Sequence, residues 1–181
     1  MIYIHLADGF EEIEALTVCD ILRRAGLKTE TVSIMGRLPV TGAHGIEVVA
    51  DIVFEDAVYN SCELIVLPGG MPGAENLDNH ARLREKIQSF AVQGKKLAAI
   101  CAAPLVLGHA GVLEGKEATC YPGFEVELTG AVLTETAVCV SDNITTSRGP
   151  ATAAAFAFEL VRQLKGDAVS DSIARDMLFH K

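Results

Sequence analysis

The chain has 181 residues, of which 50% are hydrophobic and 22% are charged, a composition typical of a globular protein. Its formal net charge of −9 disfavours nucleic acid and anionic membranes as partners, because both are themselves negatively charged. No apolar run is long enough to span a bilayer, and a chain of this length is most simply one domain, residues 1–181.

The first strand-like run, Ile2–Ala7, has no basic region before it and lacks the shape of a signal peptide. The cysteines are odd in number and lack CxxC or other metal-like spacing, so we interpret them as reduced thiols. They are Cys19, Cys62, Cys101, Cys120 and Cys139. These features together favour a cytoplasmic protein.

A helix is predicted from Asp8 to about Ala25. Asp8 and Glu11 have the spacing of a capping box, and the glycine at position 26 would end the helix. Glu14 heads a mostly apolar stripe of this helix. It either complements the helix dipole, which the pattern alone favours, or acts as an acid with a raised pKa in a site.

The same helix has a second apolar side, which carries Ile13, Leu16 and Thr17. A helix that is apolar on two sides needs two partners. We expect the sheet to be one of them, and a second subunit is the candidate for the other.

Strand and turn signals continue as far as residue 94. They predict a strand over Lys28–Ile34, a hairpin of residues 40–41 and 46–50, and a strand over Glu63–Leu67. That strand ends in Pro68-Gly69-Gly70, where the glycines either form a tight turn or let backbone amides approach a ligand or an oxyanion. A helix over Leu83–Val92 follows.

A strand that turns directly into a helix is predicted around residue 101. Leu97–Ile100 is a short apolar run typical of a buried strand, and Pro104 suits the first turn of a helix. Cys101 would stand at the corner, where the open amides of the helix favour the thiolate and lower its pKa. The alternative is that Cys101 is simply a small buried hydrophobic residue.

The rest of the chain completes an alternation of strands and helices. It predicts strands over Ala118–Tyr121, Ala137–Val140 and Ile144–Thr146, a helix ending at Gly166 and a last helix over Asp167–Leu178. This alternation implies a mainly parallel sheet covered on both faces, whose site lies beyond the carboxyl ends of the strands. Three candidate segments lie at this edge of the sheet: the turn over residues 8–14, Gly69-Gly70 and Cys101. Their convergence favours a functional role for Cys101.

Four motifs together resemble the ThiJ/PfpI family, in the glyoxalase III-like branch of the parkinsonism-associated protein deglycase. They occur in order and with matching spacing over nearly the whole chain. They are Gly9-Phe10-Glu11-Glu12-Ile13-Glu14, Leu67-Pro68-Gly69-Gly70, Ala99-Ile100-Cys101-Ala102-Ala103-Pro104 and Thr146-Ser147-Arg148-Gly149-Pro150. The resemblance implies an α/β, flavodoxin-like three-layer sandwich, a homodimer built partly on the first helix, and chemistry without a cofactor.

The resemblance also implies roles for individual residues. Cys101 becomes the elbow cysteine, and Glu14 becomes the protonated glutamate that hydrogen-bonds its sulfur, which reverses the interpretation from the pattern alone. Glu11 becomes the second carboxylate of the site. Gly69 and Gly70 supply oxyanion-type amides.

Three positions depart from patterns in the family. Tyr121 replaces a frequent histidine, and a tyrosine hydroxyl donates a hydrogen bond but is a poor base at neutral pH. His44 replaces an arginine often found near the neighbouring subunit's site, and it carries that charge only when protonated. Ala102 follows the cysteine where the protease-like branch has a histidine, so we discount proteolysis. The other histidines are interpreted as structural or exposed, and no metal is assigned: His5, His80, His109 and His180.

Two functions from different classes fit these residues. As an enzyme, the Cys101 thiolate would attack an aldehyde of a small dicarbonyl such as methylglyoxal, and a proton would then move between the two carbons with Glu14 as acid–base. As a redox sensor or chaperone, Cys101 would oxidise to sulfenate and sulfinate, and the changed surface would bind partners. A role in thiamine biosynthesis, which the family name implies, has no support in the sequence.

Overall fold

The computed structural model describes residues 1–179, in which the chain forms eleven strands and six α-helices. His180, interpreted above as structural or exposed, lies outside the described residues. The strands are β1 (Ile2–Leu6), β2 (Thr29–Ser33), β3 (Pro39–Thr41), β4 (Glu47–Val49), β5 (Ile52–Val53), β6 (Leu64–Leu67), β7 (Lys96–Ile100), β8 (Glu117–Ala118), β9 (Val132–Leu133), β10 (Val138–Ser141) and β11 (Ile144–Ser147). The helices are α1 (Glu12–Arg24), α2 (Gly73–Asp78), α3 (Ala81–Val92), α4 (Pro104–His109), α5 (Ala153–Lys165) and α6 (Asp167–Asp176).

Seven strands form the central sheet in the order β10-β11-β7-β6-β1-β2-β5. Every neighbouring pair is parallel except β10 with β11, which confirms the predicted mainly parallel sheet. The central strands β1 and β6 are buried along their whole length, as expected for strands covered on both faces.

The helices flank this sheet in two groups. α1 packs against α5, and α5 packs against α6, while α2 packs against α3 and α4. The result is the expected α/β, flavodoxin-like sandwich. Among residues 1–179, no helix combines the length and apolar character needed to cross a membrane.

The sheet order brings three loops to one edge. β6 lies between β1 and β7, and all three strands run in the same direction. Their carboxyl ends therefore lie side by side, and the loops that start at Ala7, Pro68 and Cys101 leave the sheet together. This arrangement was expected from the alternating pattern.

The predicted capping box at the start of α1 is wrong. Glu11, rather than Asp8, is the N-cap residue, and its Oε2 accepts a hydrogen bond of 2.7 Å from the backbone N–H of Glu14. Asp8 instead accepts a 3.0 Å hydrogen bond from the N–H of Thr41 and forms an ion pair with Arg37. Asp8 therefore ties the hairpin of β3 and β4 to the loop before α1.

The predicted strand over Ala118–Tyr121 is also wrong beyond its first residue. Only β8 forms there, and it pairs with β9 in a separate two-stranded sheet. The chain then leaves the strand direction, and the N–H of Tyr121 donates to the carbonyl oxygen of Cys101 at 2.8 Å. The short elements β5, β9 and α2 were not predicted, because they are too short to show a period.

His5 lies in β1 within an aromatic cluster and has no exposed area. Its Nε2 lies 2.7 Å from the hydroxyl oxygen of Tyr59, whose ring stacks on it, and Phe54 lies beside both rings. Burial lowers the pKa of His5 to about 3. His5 is therefore neutral in the fold, as its structural interpretation requires.

We predict that His5 makes the protein sensitive to acid. Unfolded His5 takes up a proton near pH 6.5, but folded His5 stays neutral down to about pH 3. Between these limits its contribution lowers the free energy of unfolding by up to about 1.4 kcal/mol for each unit of falling pH. His5→Gln, which keeps a partner for the Tyr59 hydroxyl, should reduce this loss in urea denaturation curves measured at several pH values.

A matched control is His109→Gln. Hydrogen bonds to carboxylates, first that of Asp78, raise the pKa of His109, so its protonation stabilises the fold in acid. This stabilisation is complete below the unfolded pKa of 6.5, so removing His109 should lower stability there without reducing its loss per unit of falling pH. A His5→Gln protein with the same acid slope as the wild type would contradict the prediction.

Candidate active site

Cys101 is the corner residue between β7 and the turn that leads into α4. Its φ of 66° lies in the left-handed region, where a residue other than glycine is strained. The backbone is held on both sides, because the N–H of Cys101 donates to Ser147 at 2.9 Å and its carbonyl accepts from Tyr121. The residue is only 8% exposed. The predicted elbow is therefore present as a strained, fixed and nearly buried thiol.

Glu14 lies in the first turn of α1 and has no exposed area. Its Oε2 accepts a hydrogen bond of 2.7 Å from the backbone N–H of Gly69, and the charge of its carboxylate acts on the nearby thiol of Cys101. A side chain at position 69 would not fit, since a Cβ there would lie 2.6 Å from the Cβ of Cys101 and 2.8 Å from Oε2 of Glu14. The structure thus brings Glu14 and Cys101 together across a glycine.

The electrostatics of this pair differ in part from the expectation. Burial raises the pKa of Glu14 to about 7, as proposed for an acid in a site. Burial also raises the pKa of the Cys101 thiol to about 12, and the negative charge of Glu14 adds to the effect. The N–H groups of Gly70 and Ala102 oppose this rise without overcoming it. The expected low thiol pKa is therefore wrong.

The physical reason is that desolvation outweighs the dipoles of the helix terminus. α4 has six residues, and its first residue, Pro104, has no N–H to offer. Because Glu14 and Cys101 interact directly, their two pKa values belong to the pair. The pair loses one proton near pH 7 and the second only near pH 12. Between these values it holds one proton and one negative charge.

The oxyanion-type amides are not those that were predicted. The N–H of Gly69 is used by Glu14, and its carbonyl oxygen accepts a 2.9 Å hydrogen bond from the N–H of Glu11. The prediction for Gly69 is therefore wrong. The N–H groups that approach the sulfur are those of Gly70 and Ala102. From the sequence, Ala102 was of interest only because the protease-like branch has a histidine at this position.

The first turn of α1 holds a further acidic residue that sequence reasoning missed. Glu12 is buried, and its Oε1 accepts a 2.7 Å hydrogen bond from the N–H of His44. Its Oε2 lies 2.8 Å from Nδ1 of His44, and Oε1 of Glu11 lies 4.0 Å from the same nitrogen. His44 is thus held at the start of α1. In the sequence, the only sign of this role was that two glutamates, Glu11 and Glu12, follow each other within the Gly9–Glu14 motif.

Tyr121 reaches the candidate site through its backbone. Apart from the bond to the carbonyl of Cys101, its ring is half exposed and packs against Gly149, where a Cβ would lie 3.2 Å from the ring. The departure from histidine therefore places an exposed phenol ring beside the elbow.

Comparison with known proteins gives consistent matches. Residues 1–163 match the model of the DJ-1/PfpI family. "Protein DJ-1 homolog B" of Arabidopsis thaliana is 41% identical over 91% of the chain, which spans only 38% of that relative. "Glutathione-independent glyoxalase DJR-1.2" of Caenorhabditis elegans is 31% identical over 94% of the chain and 91% of its own length. The structure of oxidized DJ-1 from Toxoplasma gondii is 36% identical and superposes with a TM-score of 0.95 over 99% of this chain and 98% of its own.

We predict that Glu14→Gln lowers the thiol pKa of Cys101. Glutamine keeps a hydrogen-bond donor toward the sulfur but removes the negative charge that raises this pKa. The measurement is the alkylation rate of Cys101 by iodoacetamide against pH, followed by mass spectrometry. Cys62, whose pKa is raised to about 11 by burial with no contribution from Glu14, is the internal reference. Coincident Cys101 profiles for variant and wild type would show that the two groups are not coupled.

Proposed function

Because this chain belongs to the DJ-1/PfpI family, we propose that it is a cysteine-dependent, cofactor-independent enzyme acting on reactive dicarbonyls, of the glyoxalase III or deglycase type. The observation that carries the proposal is the buried contact between Cys101 and Glu14, two groups that share one proton near neutral pH. A glyoxalase needs such a nucleophile with an acid–base group beside it. The name of the nematode relative supports this reaction class.

In the first step, the proton that the pair shares moves from the sulfur of Cys101 to Glu14, and the resulting thiolate attacks the aldehyde carbon of methylglyoxal. A carbon–sulfur bond forms, the π electrons of the carbonyl move to its oxygen, and that oxygen takes the proton held by Glu14. The N–H groups of Gly70 and Ala102 stabilise negative charge on the sulfur before the attack. The product is a neutral hemithioacetal, and Glu14 is left as a carboxylate.

In the second step, Glu14 removes the hydrogen from the carbon bound to sulfur, which leaves an enediolate, and the hydroxyl proton passes from the first oxygen to the second. Return of a proton to the neighbouring carbon gives a thioester of lactate, which water hydrolyses to lactate and the free thiol. The aldehyde carbon is oxidised while the ketone carbon is reduced, so no external oxidant or cofactor is consumed. Deglycase activity would apply the same attack to dicarbonyl adducts.

The alternative function is a redox sensor or oxidative-stress chaperone without turnover. Its specific support is the pair of N–H groups at the sulfur, because these would also bind the oxygens of a sulfinate. The relative from Toxoplasma gondii has a structure described as oxidized. The raised pKa of the thiol bears equally on both functions, since the thiolate is both the form that oxidises readily and the form that attacks an aldehyde, so turnover is what separates them.

We further propose a homodimer through α1 and the neighbouring hairpin. Ile13 is 56% exposed and Leu16 is 39% exposed, which is unusual for large apolar side chains on a helix that also packs on the sheet. The hairpin of β3 and β4 adds Ile46 and Val49, both exposed.

All five cysteines are free thiols, which supports a reducing compartment such as the cytoplasm.

We predict that Cys101→Ser abolishes lactate formation from methylglyoxal and that Glu14→Gln removes most of it. The serine hydroxyl is a weaker nucleophile than the cysteine thiol, and the glutamine amide cannot carry the proton between the two carbons. The expected loss for Glu14→Gln is about a hundredfold or more in kcat/KM. With Tyr121 in place of a histidine, we expect slow turnover even in the wild type.

Cys120→Ser is the matched control, because Cys120 is another buried thiol with a pKa raised to about 11 by burial, and it lines a cavity with Glu125 and Arg148 rather than with Glu14. It should keep wild-type turnover. Wild-type turnover by Cys101→Ser would exclude the proposed chemistry. If no wild-type turnover occurs but peroxide converts Cys101 to sulfinate before the other thiols, the sensor role is favoured instead.

We predict that Ile13→Glu weakens the dimer by placing a charge in its apolar contact. Light scattering at micromolar concentration should give a dimer of the 19.2 kDa chain for the wild type and mostly monomer for the variant. Val92→Glu is the control, because Val92 is 91% exposed at the end of α3, away from the proposed interface. A wild-type protein that is monomeric under these conditions would rule out this interface.

A further inference from the structure

We propose that Glu11, Glu12 and His44 form a binding site for a divalent transition-metal cation such as Zn²⁺. One ligand atom from each residue lies within 4.8 Å of the others. The two glutamates belong to the start of α1, and His44 belongs to the loop between β3 and β4, 32 residues further along the chain than Glu12. The cluster is thus assembled by the fold rather than by local spacing.

In each glutamate, one carboxylate oxygen accepts a hydrogen bond from the backbone, and the other oxygen faces the ring of His44. Oε2 of Glu11 caps α1 by accepting from the N–H of Glu14 at 2.7 Å, and its Oε1 faces His44. Oε1 of Glu12 accepts from the backbone N–H of His44 at 2.7 Å, and its Oε2 faces Nδ1 of the ring. An ion could therefore bind without breaking either structural hydrogen bond.

The loop that carries His44 is held in place by its backbone. The N–H of Ala43 donates to Phe10 at 2.8 Å, and the N–H of Gly42 donates to Ile46 at 2.9 Å. Gly42 is required there, because a Cβ would lie 2.3 Å from Oε1 of Glu12. Two oxygen ligands are thus preset and buried, while the ring of His44 is exposed on the single chain, at the edge of the proposed dimer contact.

One imidazole nitrogen and two carboxylate oxygens suit Zn²⁺, which often takes three protein ligands and keeps an open position. Mg²⁺ and Ca²⁺ prefer oxygen ligands throughout. Zinc–ligand bonds of about 2 Å require the exposed ring of His44 to move toward Glu11, since their facing atoms are 4.0 Å apart. Without the ion, the hydrogen bond to Glu12 raises the pKa of His44, so the ion competes with a proton and binds less tightly in acid.

His109 provides a natural contrast within the same chain. It also lies between two carboxylates, but its Nδ1 contacts Asp78 at 2.8 Å while its Nε2 contacts Glu127 at 2.9 Å. The two contacts are on opposite nitrogens of the ring, so the three residues do not converge on one point. His109 therefore serves as a control that shares the residue types but lacks the geometry.

The test is calorimetric titration of the full chain with Zn²⁺ at neutral pH. We expect His44→Ala and Glu12→Gln each to weaken binding by about tenfold or more, since each variant loses a ligand atom. His109→Gln and Cys101→Ser should bind as the wild type does, and excess Mg²⁺ should not compete. Co²⁺ used as a probe should show an absorption spectrum without a thiolate charge-transfer band.

Three outcomes would overturn the proposal. They are the absence of Zn²⁺ binding below millimolar concentration, unchanged affinity in both His44→Ala and Glu12→Gln, and loss of binding in Cys101→Ser. The last outcome would assign the ion to the thiol. Circular dichroism of each variant confirms that it is folded. Because the readout is ion binding rather than turnover, its result is independent of the proposed glyoxalase activity.

Discussion

The contact between Glu14 and Cys101 depends on backbone segments that approach each other too closely for side chains. A Cβ at Gly9 would lie 2.4 Å from the ring of Pro72, and one at Gly70 would lie 2.4 Å from the backbone nitrogen of Glu11. These glycines let the loop before α1 lie directly on the loop after β6. The N–H of Gly69 can then hold Glu14 against the sulfur, away from water.

Burial decides the chemistry of this contact. A carboxylate and a thiolate side by side in a site without water would repel each other, and each would lose its hydration. The site therefore holds one negative charge rather than two over the neutral range, because one proton stays in the pair. A shared proton next to a nucleophile is what addition to a carbonyl and transfer between two carbons require. The same burial that raises the thiol pKa thus makes Glu14 an acid–base group suited to neutral pH.

The sequence was most informative where the signal is local. Apolar runs and glycine stops predicted the parallel sheet, and the run before Cys101 predicted its corner position. It was least informative where a contact joins distant segments. The hydrogen bond from Gly69 to Glu14 spans 55 residues, and that from His44 to Glu12 spans 32. For this reason the role of Glu14 needed the family resemblance, and the cap by Glu11, the different use of the two glycine amides and the raised thiol pKa became evident only in the fold.

Infrared difference spectroscopy across the pH range tests the shared proton most directly. The signals are the S–H stretch of Cys101 and the carboxylic acid C=O stretch of Glu14, identified by their loss in Cys101→Ser and Glu14→Gln. The account predicts that the pair loses one proton near pH 7 and that one of the two signals, or a fraction of each, persists until about pH 12. Disappearance of both signals just above neutral pH, or persistence of both into alkali, would contradict it.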